Sequence, residues 1–209
     1  MKQTIRLLMQ GALIVLSSVA VHAASPWSVR LRATYLETVD KSDAFTALGI
    51  AFPKNAVSVD DKLIPEIDVG YAFNDSFGAE LVLTIPQTQK VSLAGVGSLG
   101  TFKHLPPTLL FQYRANPGGL VHPYVGVGVN YTLIWGDDLK VAGVPLHLDN
   151  SSYGFAAQAG LDWKIDNTWS VNLDLKRVAI SSGVFAGGAK LTEAHLDPWL
   201  YSLGLRYEF

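Results

Sequence analysis

From Trp27 to Phe209 the chain alternates between apolar and polar residues with a period of two, the spacing that sends successive side chains to opposite faces of a sheet. Eight runs carry the pattern. The first sets Trp27, Val29, Leu31, Ala33 and Tyr35 against Ser28, Arg30, Arg32 and Thr34. The second and third set Ile67, Val69 and Tyr71 against Glu66, Asp68 and Gly70, and Phe77, Ala79, Leu81 and Leu83 against Gly78, Glu80 and Val82. In the fourth, Leu109, Phe111 and Tyr113 oppose Thr108, Gln112 and Arg114; in the fifth, Val125, Val127, Val129 and Tyr131 oppose Tyr124, Gly126, Gly128 and Asn130. The last three centre on Phe155 to Ile165, Trp169 to Leu175 and Trp199 to Phe209.

A soluble barrel or sandwich also alternates, but its apolar face is the interior. Here the polar face collects Arg30, Arg32, Glu66, Asp68, Glu80, Arg114, Asp162, Lys176 and Arg206, with glycines between them. The other face is apolar along its whole length, with aromatics toward both ends, as a membrane-spanning barrel requires. The connections agree. Runs two and three meet at Asn74-Asp75, six and seven at Asp166-Asn167, and four and five across Ala115 to Val121, all short and rich in turn residues. The alternate joins, Asp40 to Lys62, Gln87 to Gly100, Gly136 to Ser151 and Ser181 to Ala194, are long and read as loops. The expectation is an all-β, eight-stranded antiparallel transmembrane β-barrel, with short periplasmic turns and long extracellular loops.

The N-terminus changes the picture in one respect. Lys2 and Arg6, the apolar stretch Leu7 to Val21 and the small-residue pattern Val21-His22-Ala23 read as a secretory signal over residues 1–23, with the barrel domain at 24–209. The stretch is shorter than the roughly 20 residues of a spanning helix. About 185 remaining residues suit a single barrel. A net charge of −2 without a basic cluster offers no footprint for nucleic acid, and the absence of cysteine removes disulfide and thiol chemistry.

Several segments resemble the OmpW family of small outer-membrane barrels, which includes AlkL-type uptake proteins for hydrophobic compounds. They are Gly78-Ala79-Glu80-Leu81 followed by Pro86, His104-Leu105-Pro106-Pro107-Thr108, Pro123 to Thr132, and Asp197-Pro198-Trp199 with Tyr207 and a terminal Phe209. The resemblance implies localisation in the Gram-negative outer membrane and passage of small hydrophobic molecules with sideways release into the bilayer. It also implies that the C-terminal strand ending in Phe209 is read by the outer-membrane insertion machinery. Outer-membrane lipids and small hydrophobic solutes are the expected partners, and a monomer the expected state.

The inward positions divide by height. The charged residues above lie toward the periplasm, where an eight-strand lumen barely holds its own side chains, so they are expected to pair and plug it. Toward the outside, Leu36, Ile64, Val82, Leu110, Ile134, Val178, Leu196 and Leu200 form an apolar cup. Pro86, at the end of the third run, and Pro106 and Pro107, before the fourth, lack amide donors at about one height and mark an expected lateral opening. A structural or adhesin-type barrel acting through its loops is an alternative. A lipid-modifying enzyme is another, although His104, His122, His147 and His195 stand apart from any patterned nucleophile. No pair of them has metal-ligand spacing, so neither metal nor cofactor is expected.

Overall fold

The computed structural model describes residues 25–39, 41–47 and 49–209. The expected signal segment, 1–23, lies outside these. The eight runs form the wall as β1 (Trp27–Glu37), β2 (Lys62–Ala72), β3 (Phe77–Thr84), β4 (Thr108–Arg114), β5 (Val121–Val141), β6 (Ser151–Lys164), β7 (Trp169–Val178) and β8 (Trp199–Glu208). Each pairs antiparallel with its sequence neighbours, and β8 returns to β1, from Ser28↔Glu208 to Glu37↔Trp199. That last pairing closes the barrel. Closure leaves none of the eight wall strands as an edge, which is what a hydrocarbon surround demands of backbone N–H and C=O groups.

The outer face is the apolar one. Leu31, Val125, Val127, Leu173 and Leu203 project outward and are exposed, while Arg30, Glu66, Glu80 and Lys176 on the alternate positions are buried. Burial is thus inverted relative to a soluble barrel because the solvent around the middle of the wall is lipid. Aromatic pairs gather near the periplasmic rim: Trp27 with Tyr71, Trp169 with Tyr207, and Tyr207 with Phe209. The rim turns are locked by side chains. Asn74 Oδ1 accepts from the backbone amides of Ser76 and Phe77, both at 2.9 Å. Asp166 does the same for Thr168 and Trp169, at 2.8 Å each, and those amides hold its carboxyl below the usual range.

The four joins read as loops are largely strand, and here the structure departs from the expectation. Gln87–Leu93 and Gly97–Leu105 form a hairpin, and Val57–Val59 adds to its free side. Val144–Leu148, Ser181–Ala186 and Ala189–His195 extend the sheet from the other side of β5, with Lys41–Ser42 at the end. Phe45–Ala47 and Ile50–Phe52 make a separate hairpin, with Phe45 stacked on Phe52 at 5.1 Å. These strands escaped notice because bulges break the two-residue count: the register shifts between Trp135 and Asp138, between Val91 and Ser92, and between Val184 and Phe185. Gly100 sits at the first of these with a positive φ of 131°, pressed against the Asp138 carbonyl where a Cβ would collide.

The 21-residue β5 joins the two levels. Its lower part pairs with β4, from Arg114↔Tyr124 to Thr108↔Asn130. Its upper part pairs with Gly97–Leu105, starting at Leu133↔Leu105.

If the bilayer is centred on the outward apolar rows, cost should depend on depth. Leu203→Arg, in the middle of the wall, should destabilise the barrel by about 2–4 kcal/mol, and Val121→Arg, at its periplasmic end, by about 0–1 kcal/mol. Equilibrium unfolding of both variants in lipid vesicles measures this. Equal costs would place the bilayer elsewhere.

Candidate functional site

The lower lumen is a packed ionic network. Register puts Arg30 opposite Asp68 and Arg32 opposite Glu66. Arg32 sits at the hub, with Nη1 at 3.0 Å from Glu66, 2.5 Å from Asp68 and 3.2 Å from Glu80. Its Nε donates to Asn172 Oδ1 at 2.7 Å and its Nη2 to the Tyr124 hydroxyl at 3.1 Å. Arg30 passes over its cross-strand neighbour and reaches across the lumen to Glu80 and, at 2.9 Å, to Asp162. Asp68 is short and already held by Arg32, whereas Arg30 is long enough to bridge a narrow barrel. Lys176 joins Glu66 at 2.8 Å and Asp174 at 2.7 Å. Arg206 meets Asp162 at 3.0 Å and Glu208 at 2.7 Å. Arg114 stands at the periplasmic end, partly exposed and 4.0 Å from Glu208, so it caps the network from its margin.

Tyr124 holds the network together, yet the sequence marked it only as inward-facing. Its hydroxyl donates to Asp174 at 2.7 Å and accepts from Asn172 at 3.0 Å, and Arg30 lies 5.2 Å above its ring. Gly160, its neighbour across the ladder, leaves the space that the ring and hydroxyl occupy. Opposite charges in this number, buried and mutually bonded, pack the lower lumen, as the narrow interior of an eight-strand barrel allows.

Above the plug the lining turns apolar. Leu36, Ile64, Val82, Leu110, Ile134, Val178, Leu196 and Leu200 are all buried in one cluster. Of these, Ile134 and Leu196 line the enclosed cavity above; the other six pack in the same cluster without bordering it. The rest of that lining comes from the extracellular strands, among them Phe45, Val59, Val91, Leu99, Phe102 and Leu146. The free space is about 50 Å³. That is room for only a few waters at roughly 10–15 Å³ each. The cavity is therefore narrow and largely apolar, and most of its lining comes from segments the sequence presented as loops.

Beside it the wall is interrupted. The β3–β4 ladder runs from Phe77↔Tyr113 to Val82↔Thr108, and pairing resumes only at Gln87↔His104. At about 3.4 Å per residue, the four steps from His104 to Thr108 leave roughly 14 Å between paired rows. Pro86, Pro106 and Pro107 all fall in this interval. The two adjacent prolines are not equivalent. The Pro107 carbonyl accepts from the Tyr131 amide on β5 at 3.1 Å, so Pro107 faces β5. Alternation turns Pro106 toward β3, where the Thr108 hydroxyl takes its carbonyl at 3.2 Å. The β2–β3 ladder also stops, at Glu66↔Thr84, and the next residue of β2 is Pro65. The sequence reading passed over Pro65. Ile85 and Pro86 are thereby left without a sheet partner on either side, both exposed.

A closed barrel of eight wall strands with an apolar outer belt and an ionic interior is a small β-barrel of the Gram-negative outer membrane. The chain belongs to the OmpW family, which it matches over residues 25–209. It is 36% identical over 191 residues to the outer-membrane protein y4mB of Sinorhizobium fredii, covering 88% of this chain and 80% of that one. It is 28% identical over 191 residues to the dibenzothiophene metabolism operon protein PahQ of Pseudomonas aeruginosa, covering 88% and 89%. The crystal structure of outer membrane protein OprG from Pseudomonas aeruginosa matches with a TM-score of 0.76 at 26% identity, over 89% of this chain and 97% of that one.

Removing one member of the plug should strand its partners. Glu66→Ala deprives both Arg32 and Lys176 of a carboxylate and should cost about 3–5 kcal/mol. An unfolding midpoint in urea equal to that of the unaltered protein would show that the pairs carry no stability.

Proposed function

We propose that the protein is a passive channel for small hydrophobic molecules, which enter the apolar extracellular cavity and leave sideways into the bilayer between β3 and β4. The observation that carries this reading is vertical order. An apolar cavity lies at the top, the ladder break opens in the wall beside it, and the plug closes the lumen below. A solute without charge gains nothing from the plug, which would have to break buried ion pairs to let it pass. Sideways release needs only that two unpaired residues, Ile85 and Pro86, part from Pro106. The prolines keep that seam from being sealed by backbone hydrogen bonds. The name of one relative points the same way, since dibenzothiophene is an apolar aromatic molecule.

In this reading Ile134 and Leu196 line the cavity, Leu36, Ile64, Val82, Leu110, Val178 and Leu200 pack in the same cluster and keep water and charge from the entering solute, and Pro86, Pro106 and Pro107 form the exit. The C-terminal strand, ending in Phe209, presents an outward aromatic to the insertion machinery.

The test separates lining from exit. Ile134→Asp places a charge in the cavity and should reduce uptake of an apolar probe several-fold while the barrel still assembles, because the lipid-facing rows are unchanged. Pro106→Ala gives β4 a donor aimed at β3 and should lower uptake without loss of stability. Pro107→Ala, facing β5, should have the smaller effect. Uptake of dibenzothiophene by cells expressing each variant reads all three. Unchanged uptake in a folded Pro106→Ala protein would remove the lateral route.

A further inference from the structure

Above the break three polar side chains, Gln87, Gln89 and His104, point inward next to the apolar cavity lining; Gln87, opposite His104, gives its amide to the Ile85 carbonyl at 3.0 Å. Gln89 and His104 are 0% and 2% exposed. Gln89 stands opposite Phe102 across the hairpin, and His104 stands opposite Ile134 of β5; Phe102 and Ile134 both line the cavity. Gln89 Nε2 lies 3.4 Å from His104 Nε2, a contact in which the amide donates and the ring nitrogen accepts, leaving the ring proton on Nδ1. Among the described residues neither His104 Nδ1 nor Gln89 Oε1 has a hydrogen-bond partner. Burying an unpaired donor and an unpaired acceptor is costly. Further along these strands the inward positions hold Val91, Leu93 and Leu99, which incur no such penalty.

We propose that Gln89 and His104 together recognise a single hydroxyl group on an otherwise apolar solute. The inference rests on the uptake reading above and names the class of molecule it favours. A hydroxyl fits the pair in both senses: its O–H donates to Gln89 Oε1, and its oxygen accepts from His104 Nδ1–H. A hydrocarbon leaves both groups unpaired. A carboxylate accepts from the ring but sets its charge against the amide oxygen and among apolar walls. With the hydroxyl so held, the hydrocarbon body lies against Phe102 and Ile134 once the cavity widens. The first unpaired residues of the wall are then one row away.

Octane, 1-octanol and octanoate are suitable probes, each measured for binding to the protein in lipid nanodiscs against empty nanodiscs, and for uptake by expressing cells. The unaltered protein should bind 1-octanol about tenfold more tightly than octane, the value of one net hydrogen bond. Octanoate should bind less well than 1-octanol. Gln89→Leu/His104→Leu should abolish the preference for 1-octanol over octane. Gln89→Met, which keeps the volume and removes the acceptor, should reduce it by itself if the double variant does not fold. Expression-dependent uptake of octane and octanol with no preference, or with a preference that survives in Gln89→Met, overturns this inference alone. Entry of both probes independent of the protein overturns the uptake reading beneath it.

Discussion

A backbone amide facing hydrocarbon has no water to bond, so every N–H and C=O in the wall must find a partner within the sheet. The fold follows from that constraint. It forces β8 back onto β1, and it turns the apolar side of each strand outward and the charged side in. It also makes the stretch around Ile85 and Pro86 stand out, because there the ladder lapses on both flanks. Proline satisfies the constraint by having no donor to leave unpaired. At the seam Pro65, Pro86 and Pro106 thus interrupt the ladder without adding amide donors that would need partners.

The interior meets a second requirement. Turning charged residues inward fills the lumen with guanidinium, ammonium and carboxylate groups that are stable only in each other's company. Arg32 alone contacts residues from β2, β3, β5 and β7, so the network ties opposite walls together as well as blocking the bore. The buried ion pairs among the described residues lie in this lower half, and Lys140 with Asp138 and Lys190 with Glu193, farther up, are exposed. The upper half is held chiefly by apolar packing and by short, bulged strands.

The sequence disclosed the wall almost residue by residue because period-two alternation survives wherever strands are long and regular. It also disclosed the two chemical zones of the interior, since inward positions could be read from parity alone. What it hid had a physical cause in each case. The extracellular strands are short and carry bulges at Trp135–Asp138 and Val91–Ser92, and each bulge inverts the parity that identified the others. The partners of Arg30 depend on reach across the lumen, which register cannot supply. Pro65 was invisible as part of the seam because its importance comes from lying next to Ile85 in space, and Pro106 and Pro107 look alike until the Pro107 carbonyl is seen bonded to β5.

β5 runs unbroken from the periplasmic rim to the outer tip, and it is paired on one side with β4 and then with Gly97–Leu105 across the proline step. It acts as a mast to which both the wall and the extracellular hairpin are fastened. The hairpin Gln87–Leu93 and Gly97–Leu105 lines part of the cavity, borders the seam and is laddered to β5 from Leu105 to Gly100. Cavity and seam thus share one support, and a change in β5 bears on both at once.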